Sequence, residues 1–207
     1  MATLTAPQEV ERMKTYWRDR RVLHGNKYVG HVQGNLAAQT QRIEQMLTGL
    51  FQPTDFYEHG MDFGCGPGRF IPLLSRYCGH VWAVDLLDEV MADAAARSAT
   101  VTSVTAGWPF KLPGKSPYLD LLLGAFVFQN IQHEEVLQAV ITELRRVLKP
   151  GARIILIDNS ADKAAHVVRR EPAFFANAFK LADGWKARKV QVNFKPDDHW
   201  LISGQVG

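Results

Sequence analysis

Two acids flank a run of glycines in this chain. Asp62 precedes Gly64, Gly66 and Gly68 in the stretch MDFGCGPGRF, and Asp85 follows Gly68 by 17 residues, at the end of VWAVD. Glycine weakens regular structure, so three of them at alternate positions mark a place where something must come close to the backbone. A strand-to-helix turn without side chains exposes N–H groups to a ligand, and Cys65 keeps the side chain between two glycines small. Three ligand types compete for such a turn. A phosphate loop requires G-x-x-x-x-G-K-S/T, and no lysine–hydroxyl pair follows Gly68. A dinucleotide fingerprint requires G-x-G-x-x-G, whereas here Arg69 follows G-x-G-x-G directly. Both patterns fail.

What remains is D-x-G-x-G-x-G with an acid 17 residues on, and with its surroundings it resembles the class I S-adenosylmethionine-dependent methyltransferases. Four blocks carry the resemblance over about residues 56–160, in the family's order: MDFGCGPGRF, VWAVDL, LDLLLGAFVFQNIQHEE and LRRVLKPGARIILID. The resemblance implies S-adenosylmethionine as cofactor and assigns roles residue by residue. Gly64, Cys65, Gly66 and Gly68 would bring the backbone against its methionine part and ribose. Asp62 would sit near the ammonium, and Asp85 would accept the ribose hydroxyls. Leu86 would pack on the adenine, with Gly107 and Trp108 on its other side. Gly124, Ala125 and Phe126 would offer carbonyls to the ammonium.

The chain departs from the family pattern in two places. After the third strand, TAGWPFKLP has no acid or amide for the adenine amino group, which leaves backbone and stacking. After the fourth strand, Gln129 and Asn130 stand where many relatives have a histidine. Candidate general bases are therefore His133, His31 and His24. A free amine, carboxylate or thiolate acceptor would need no base, while a phenol or alcohol would gain from one.

The acceptor is read from absences and from the N-terminus. GAFVFQN lacks the Asn/Asp/Ser-Pro-Pro-aromatic tetrad of enzymes that methylate base amines, and no cysteine sits where a cytosine-C5 nucleophile would stand. A small-molecule acceptor is the favoured reading, methylated on O, N or S. The alternatives are a methyltransferase acting on RNA or protein, and a non-catalytic cofactor-binding protein of the same fold. Tyr16, Trp17, Arg20 and Tyr28, in TYWRDRR and NKYVG, are the residues expected to close over the site and touch substrate.

The elements that must position these residues follow from periodicity. Residues 7–23 and 35–50 read as amphipathic helices, and from 56 the pattern alternates strand and helix. The expected strands are 56–63, 80–86, 101–107, 118–126 and 152–160. Helices are expected over 69–78, 87–98 and 133–149, the last closed by Pro150–Gly151, and near 165–182. WKARKVQVNF and HWLISGQVG around KPDD read as a terminal hairpin. The expected fold is α/β: a doubly wound, mostly parallel seven-stranded sheet with an antiparallel C-terminal hairpin and helices on both faces.

At 207 residues one domain is expected over 1–207: an N-terminal helical lid (1–52), a cofactor-binding core (53–160) and a C-terminal helix with hairpin (161–207). A net charge of +3, with basic stretches in 11–21 and 180–195, is too dispersed to demand nucleic acid. Two cysteines without a CxxC pair suggest neither a metal site nor a disulfide framework. No apolar run approaches membrane-spanning length, and the first residues lack a basic-then-apolar layout, so a cytoplasmic protein is expected.

Overall fold

The computed structural model describes residues 4–25, 35–160, 167–192 and 198–207. Two helices come first. The first, α1 (Ala6–His24), starts at Thr5, whose N–H donates to the Gln8 side chain at 2.9 Å, and Pro7 occupies its first turn. The second, α2 (Leu36–Thr48), is capped by Asn35, which accepts from the Ala38 N–H at 3.1 Å.

Seven strands form one sheet: β1 (Tyr57–Phe63), β2 (Cys78–Asp85), β3 (Val101–Thr105), β4 (Leu119–Ala125), β5 (Leu148–Asn159), β6 (Lys186–Val190) and β7 (His199–Gln205). Their spatial order is β3-β2-β1-β4-β5-β7-β6. Pairings from β3 through β5 are parallel, and β7 is antiparallel to both β5 and β6. The helices on the connections are α3 (Ile71–Leu74), α4 (Met91–Ala95), α5 (Glu134–Val147) and α6 (Pro172–Ala178). This is the expected doubly wound sheet ending in an antiparallel hairpin.

Side chains alternate across the sheet as the period of two requires. Met61, Phe63, Leu122, Ile154 and Leu156 face a core shared with α1, α5 and α6. Leu121, Leu123, Ile155, Ile157 and Leu201 face a second core with α2 and α3. Strands buried on both faces have to be apolar throughout, which is why LDLLLGA and ARIILI carry no clean alternation.

The connecting helices are shorter than the sequence pattern suggests. Strand β2 starts at Cys78, paired with Tyr57, and so takes residues the periodicity assigns to a helix over 69–78. Residues 87–98 divide into a 3-10 turn (Asp88–Val90) and the five-residue α4. Helix α5 ends at Val147 rather than at Pro150–Gly151, because Leu148 already pairs with Leu119. Helix α6 begins only at Pro172, whose fixed φ suits a first turn.

The chain runs outward from β1 to β3 and then returns to β4 on the other side of β1. The sheet therefore switches direction between β1 and β4. In open α/β sheets the crevice at such a switch, beyond the carboxyl ends of the strands, is where ligands bind. Phe63 is paired with both Val84 and Gly124, so the ends of three adjacent strands converge on the residues just after them.

Candidate functional site

A cleft opens at this point, and the glycine turn forms its floor. Gly64, Gly66 and Gly68 all have positive φ, at 70°, 52° and 76°, a backbone region glycine enters without penalty. Their reasons differ. A Cβ on Gly64 would meet the Val127 side chain at 2.2 Å, and one on Gly68 would meet the Ala94 Cα at 3.0 Å. Gly68 thus lets the turn pack on α4, while Gly64, Cys65 and Gly66 line the cleft.

Asp85 is tied to the turn. One carboxylate oxygen accepts from the Gly66 N–H at 2.9 Å and the other from the Leu87 N–H at 3.1 Å. Burial pushes its pKa up, and these backbone donors push it back down. Each oxygen keeps lone-pair capacity for a further donor from the cleft.

Asp62 is less well served. It is 2% exposed, and its Oδ2 has no hydrogen-bond partner. Burial, reinforced by Asp85, raises its pKa to about 7, with the Arg69 guanidinium opposing. A buried carboxylate oxygen without a donor is costly, and a cation or N–H group entering the cleft would relieve it.

Phe126 takes the last position before the next turn, with φ at 65°. An aromatic residue in the left-handed region costs about 1–3 kcal/mol, and such residues cluster at ligand sites. The Phe126 carbonyl accepts from Asn130 Nδ2 at 2.6 Å. The Arg69 guanidinium lies 5.2 Å from the Phe126 ring and 4.5 Å from that of Phe70, and donates to Gln39 Oε1 at 3.1 Å. Burial lowers the Arg69 pKa to about 10, against the pull of Asp62.

Of the residues singled out in the sequence, Asp62, Gly64, Cys65, Gly66, Asp85, Leu86, Ala125, Phe126 and Trp17 line the cleft together. Gly68 supports the turn from behind. Gly107 and Trp108 stand aside: the cleft wall there is Ala106 and Phe110, and Trp108 packs on the core. Tyr16 and Arg20 contact Trp17, by ring edge at 5.1 Å and by cation–π at 6.0 Å, outside the lining. The neighbouring arginines tie α1 down, Arg18 to Glu89 at 2.6 Å and Arg21 to Asp93 at 3.6 Å.

His133 caps α5 and lies 2.9 Å from the Leu4 carbonyl through Nε2, away from the cleft lining. His24 ends α1 and is likewise outside it. Tyr28 and His31 lie outside the described residues.

Sequence reasoning overlooked Arg69 and Asn130 as site residues, and the apolar wall of Val10, Met13, Phe110, Val127, Ile131, Val136 and Val140. Arg69 was visible as the residue that breaks the glycine pattern. Asn130 was visible only as the replacement for a histidine.

Residues 61–156 match the family described as a methyltransferase domain. Over those residues the chain is similar to methyltransferase domains. The domain resembles the ubiquinone/menaquinone biosynthesis C-methyltransferase UbiE of Cupriavidus taiwanensis, with 32% identity over 48% of this chain and 42% of that protein. The chain thus matches less than half the length of that curated relative. Among solved structures, N-methyltransferase NodS of Bradyrhizobium japonicum, in complex with S-adenosylhomocysteine, superposes with a TM-score of 0.75, covering 94% of this chain and 98% of that one at 13% identity. The 1,6-didemethyltoxoflavin-N1-methyltransferase of Burkholderia thailandensis superposes with a TM-score of 0.66 at 18% identity, covering 100% and 92%. At these identities the superpositions speak for the fold.

The donor set fits the methyl-donor cofactor that the domain uses. An unpartnered carboxylate oxygen, a second acid and a side-chain-free turn line the cleft together with apolar side chains. No helix among the described residues is long and apolar enough to cross a membrane.

Proposed function

We propose that this protein transfers a methyl group from S-adenosylmethionine to a small acceptor with a largely apolar body. The observation that carries the reading is the unpartnered Oδ2 of Asp62, a residue that lines the cleft together with Asp85 and the glycine turn. The bound cofactor supplies an electrophilic methyl group on a sulfonium.

Each residue then has its task. Asp85 accepts the ribose hydroxyls while its bonds to Gly66 and Leu87 hold it in place. Asp62 takes the ammonium. Leu86, Ala106 and Phe110 cover the adenine. Val10, Met13 and Trp17 of α1 close the cleft from above and keep water from the reacting atoms. With the nucleophile held in line, alignment supplies most of the rate. The helices within 1–52 form the lid, 53–160 the cofactor-binding core and 161–207 the flanking helix and hairpin of one domain. None of His133, His31 and His24 is assigned a proton-transfer role.

The apolar wall supports a small acceptor over RNA or protein, since pockets for small molecules are mostly apolar with a few placed polar groups. The small molecule 1,6-didemethyltoxoflavin, bound to the Burkholderia thailandensis N1-methyltransferase, points the same way. Of the basic residues of α1, Arg18 and Arg21 are engaged in ion pairs with Glu89 and Asp93, and Arg12 and Lys14 with Glu9 and Glu11. Those of β6 lie exposed on an edge strand, where charge discourages edge-to-edge pairing. Cys65 and Cys78 are both buried free thiols, which suits a reducing compartment such as the cytoplasm.

The test is to incubate the protein with methyl-labelled S-adenosylmethionine and a cell extract, then separate RNA, protein and low-mass fractions. Label is expected in the low-mass, organic-extractable fraction. Label confined to RNA or protein overturns the acceptor assignment, and no transfer to any fraction overturns the enzymatic reading.

A further inference from the structure

We infer that the buried Asp198–His199 pair of the C-terminal hairpin is a positioning element for the cofactor cleft, acting through Phe126. Both residues are buried, at 2% and 6% exposure. Both lie more than 40 residues beyond the matched domain, which ends at 156.

The pair is a built arrangement. His199 Nδ1 lies 2.8 Å from Asp198 Oδ1, and the same oxygen accepts from the Val192 N–H at 2.8 Å. A carboxylate can only accept, so Nδ1 carries the proton and the ring orientation is fixed. The Asp198 carbonyl accepts from the Ser160 N–H at 3.2 Å. His199 opens β7, opposite Asn159 on one side and Val190 on the other. The pair is thereby locked to the end of β5 and to β6 together.

The imidazole presents to Phe126 at 5.1 Å with the rings at 88°, an edge-to-face contact. Phe126 is the residue whose backbone is left-handed and which lines the cleft. Three side chains from three parts of the chain hold it: Arg69 by its ring, Asn130 by its carbonyl and His199 by its ring. Arg69 and Asn130 belong to the matched domain, and His199 brings the hairpin into the same task. A strained residue persists only where its surroundings over-determine it. Without the His199 contact, the Phe126 ring and carbonyl would be held from the domain side alone.

Calorimetric titration with S-adenosylhomocysteine tests this without knowledge of the acceptor. His199→Leu is expected to weaken binding about five- to twentyfold. In a Phe126→Ala background, the same substitution is expected to change affinity less than twofold, because its route to the cleft is gone. Asp198→Asn, which keeps a carbonyl for the Val192 N–H, is expected to weaken binding about threefold and serves if His199→Leu does not fold. Unchanged affinity in both single variants overturns the inference. So does an equal loss with and without Phe126, the outcome of a merely structural role for the hairpin. Failure of the wild-type protein to bind S-adenosylhomocysteine strikes instead at the cofactor assignment.

Discussion

The two ends of the sheet treat charge in opposite ways. At the amino ends of the strands, Lys149 sits 2.7 Å from Asp120 and 3.6 Å from Glu58, and the other Asp120 oxygen accepts from the His59 N–H at 3.0 Å. Arg153 reaches Asp55 at 3.2 Å, Tyr57 Oη at 3.1 Å and the Leu50 carbonyl. At the carboxyl ends, Asp62 keeps an oxygen unpartnered, Asp85 is half-buried beside it, and Phe126 is strained. Within seven residues one strand, β1, runs from the end where carboxylates are paired to the end where one is not. Paired charge serves stability. The unmet polar capacity is where a ligand gains most, because its groups meet partners already desolvated and fixed.

The comparison can be broken by substitutions at either end. The largest effect is expected at Asp85. Asp85→Ala removes the ribose acceptor and the anchor of the glycine turn together. It should weaken S-adenosylhomocysteine binding by about a hundredfold, the worth of two charge-assisted hydrogen bonds. In a thermal-shift assay the ligand-induced rise in Tm should then vanish. An undiminished rise would remove Asp85 from the site.

Asp62 should give an effect of opposite sign on stability. Its folded pKa, about 7, lies above the ordinary carboxyl value of 3.8. A carboxyl group shifted upward contributes stability below its unfolded pKa, and that contribution is lost as pH rises through 7. Without ligand, Asp62→Asn should therefore be more stable than wild type at pH 8, by on the order of a few kcal/mol, and nearly equal to it at pH 4. Denaturant titration at the two pH values reads this directly. A variant less stable at pH 8 would mean that Asp62 has an internal partner.

The smallest effect is expected at the paired end. Lys149→Met breaks half-exposed ion pairs and should cost no more than about 1 kcal/mol, with S-adenosylhomocysteine affinity unchanged. A large loss of affinity there would erase the division of labour between the two ends.

Much of the carboxyl end was legible in the sequence. Gly64, Gly66 and Asp85 stand out because a side-chain-free turn followed by an acid has few structural uses, and all three glycines of the turn have positive φ. The sheet was legible too, because strands buried on both faces are apolar runs that helical periodicity does not mimic. Helix lengths were not. They are set by where the next strand begins to pair, as Cys78 with Tyr57 and Leu148 with Leu119 show. The supporting residues were hidden for a related reason. Asn130 and Arg69 meet at Phe126 only after the turns fold, and His199 reaches it from 73 positions away through the β5–β7 register. Histidines chosen by proximity to the motifs, such as His133, face elsewhere.

The central claim is that the open oxygen of Asp62 awaits a cation in the cleft. Calorimetric titration with S-adenosylhomocysteine at pH 6.0 and pH 7.5 tests it most directly. Below about 7 the carboxyl is protonated and has no charge to offer. Wild-type affinity should therefore fall by about eightfold between pH 7.5 and 6.0, as the ionised fraction of one group titrating near 7 does. Asp62→Asn should bind more weakly at pH 7.5 and show little pH dependence. Equal pH dependence in the wild type and the variant would contradict the account.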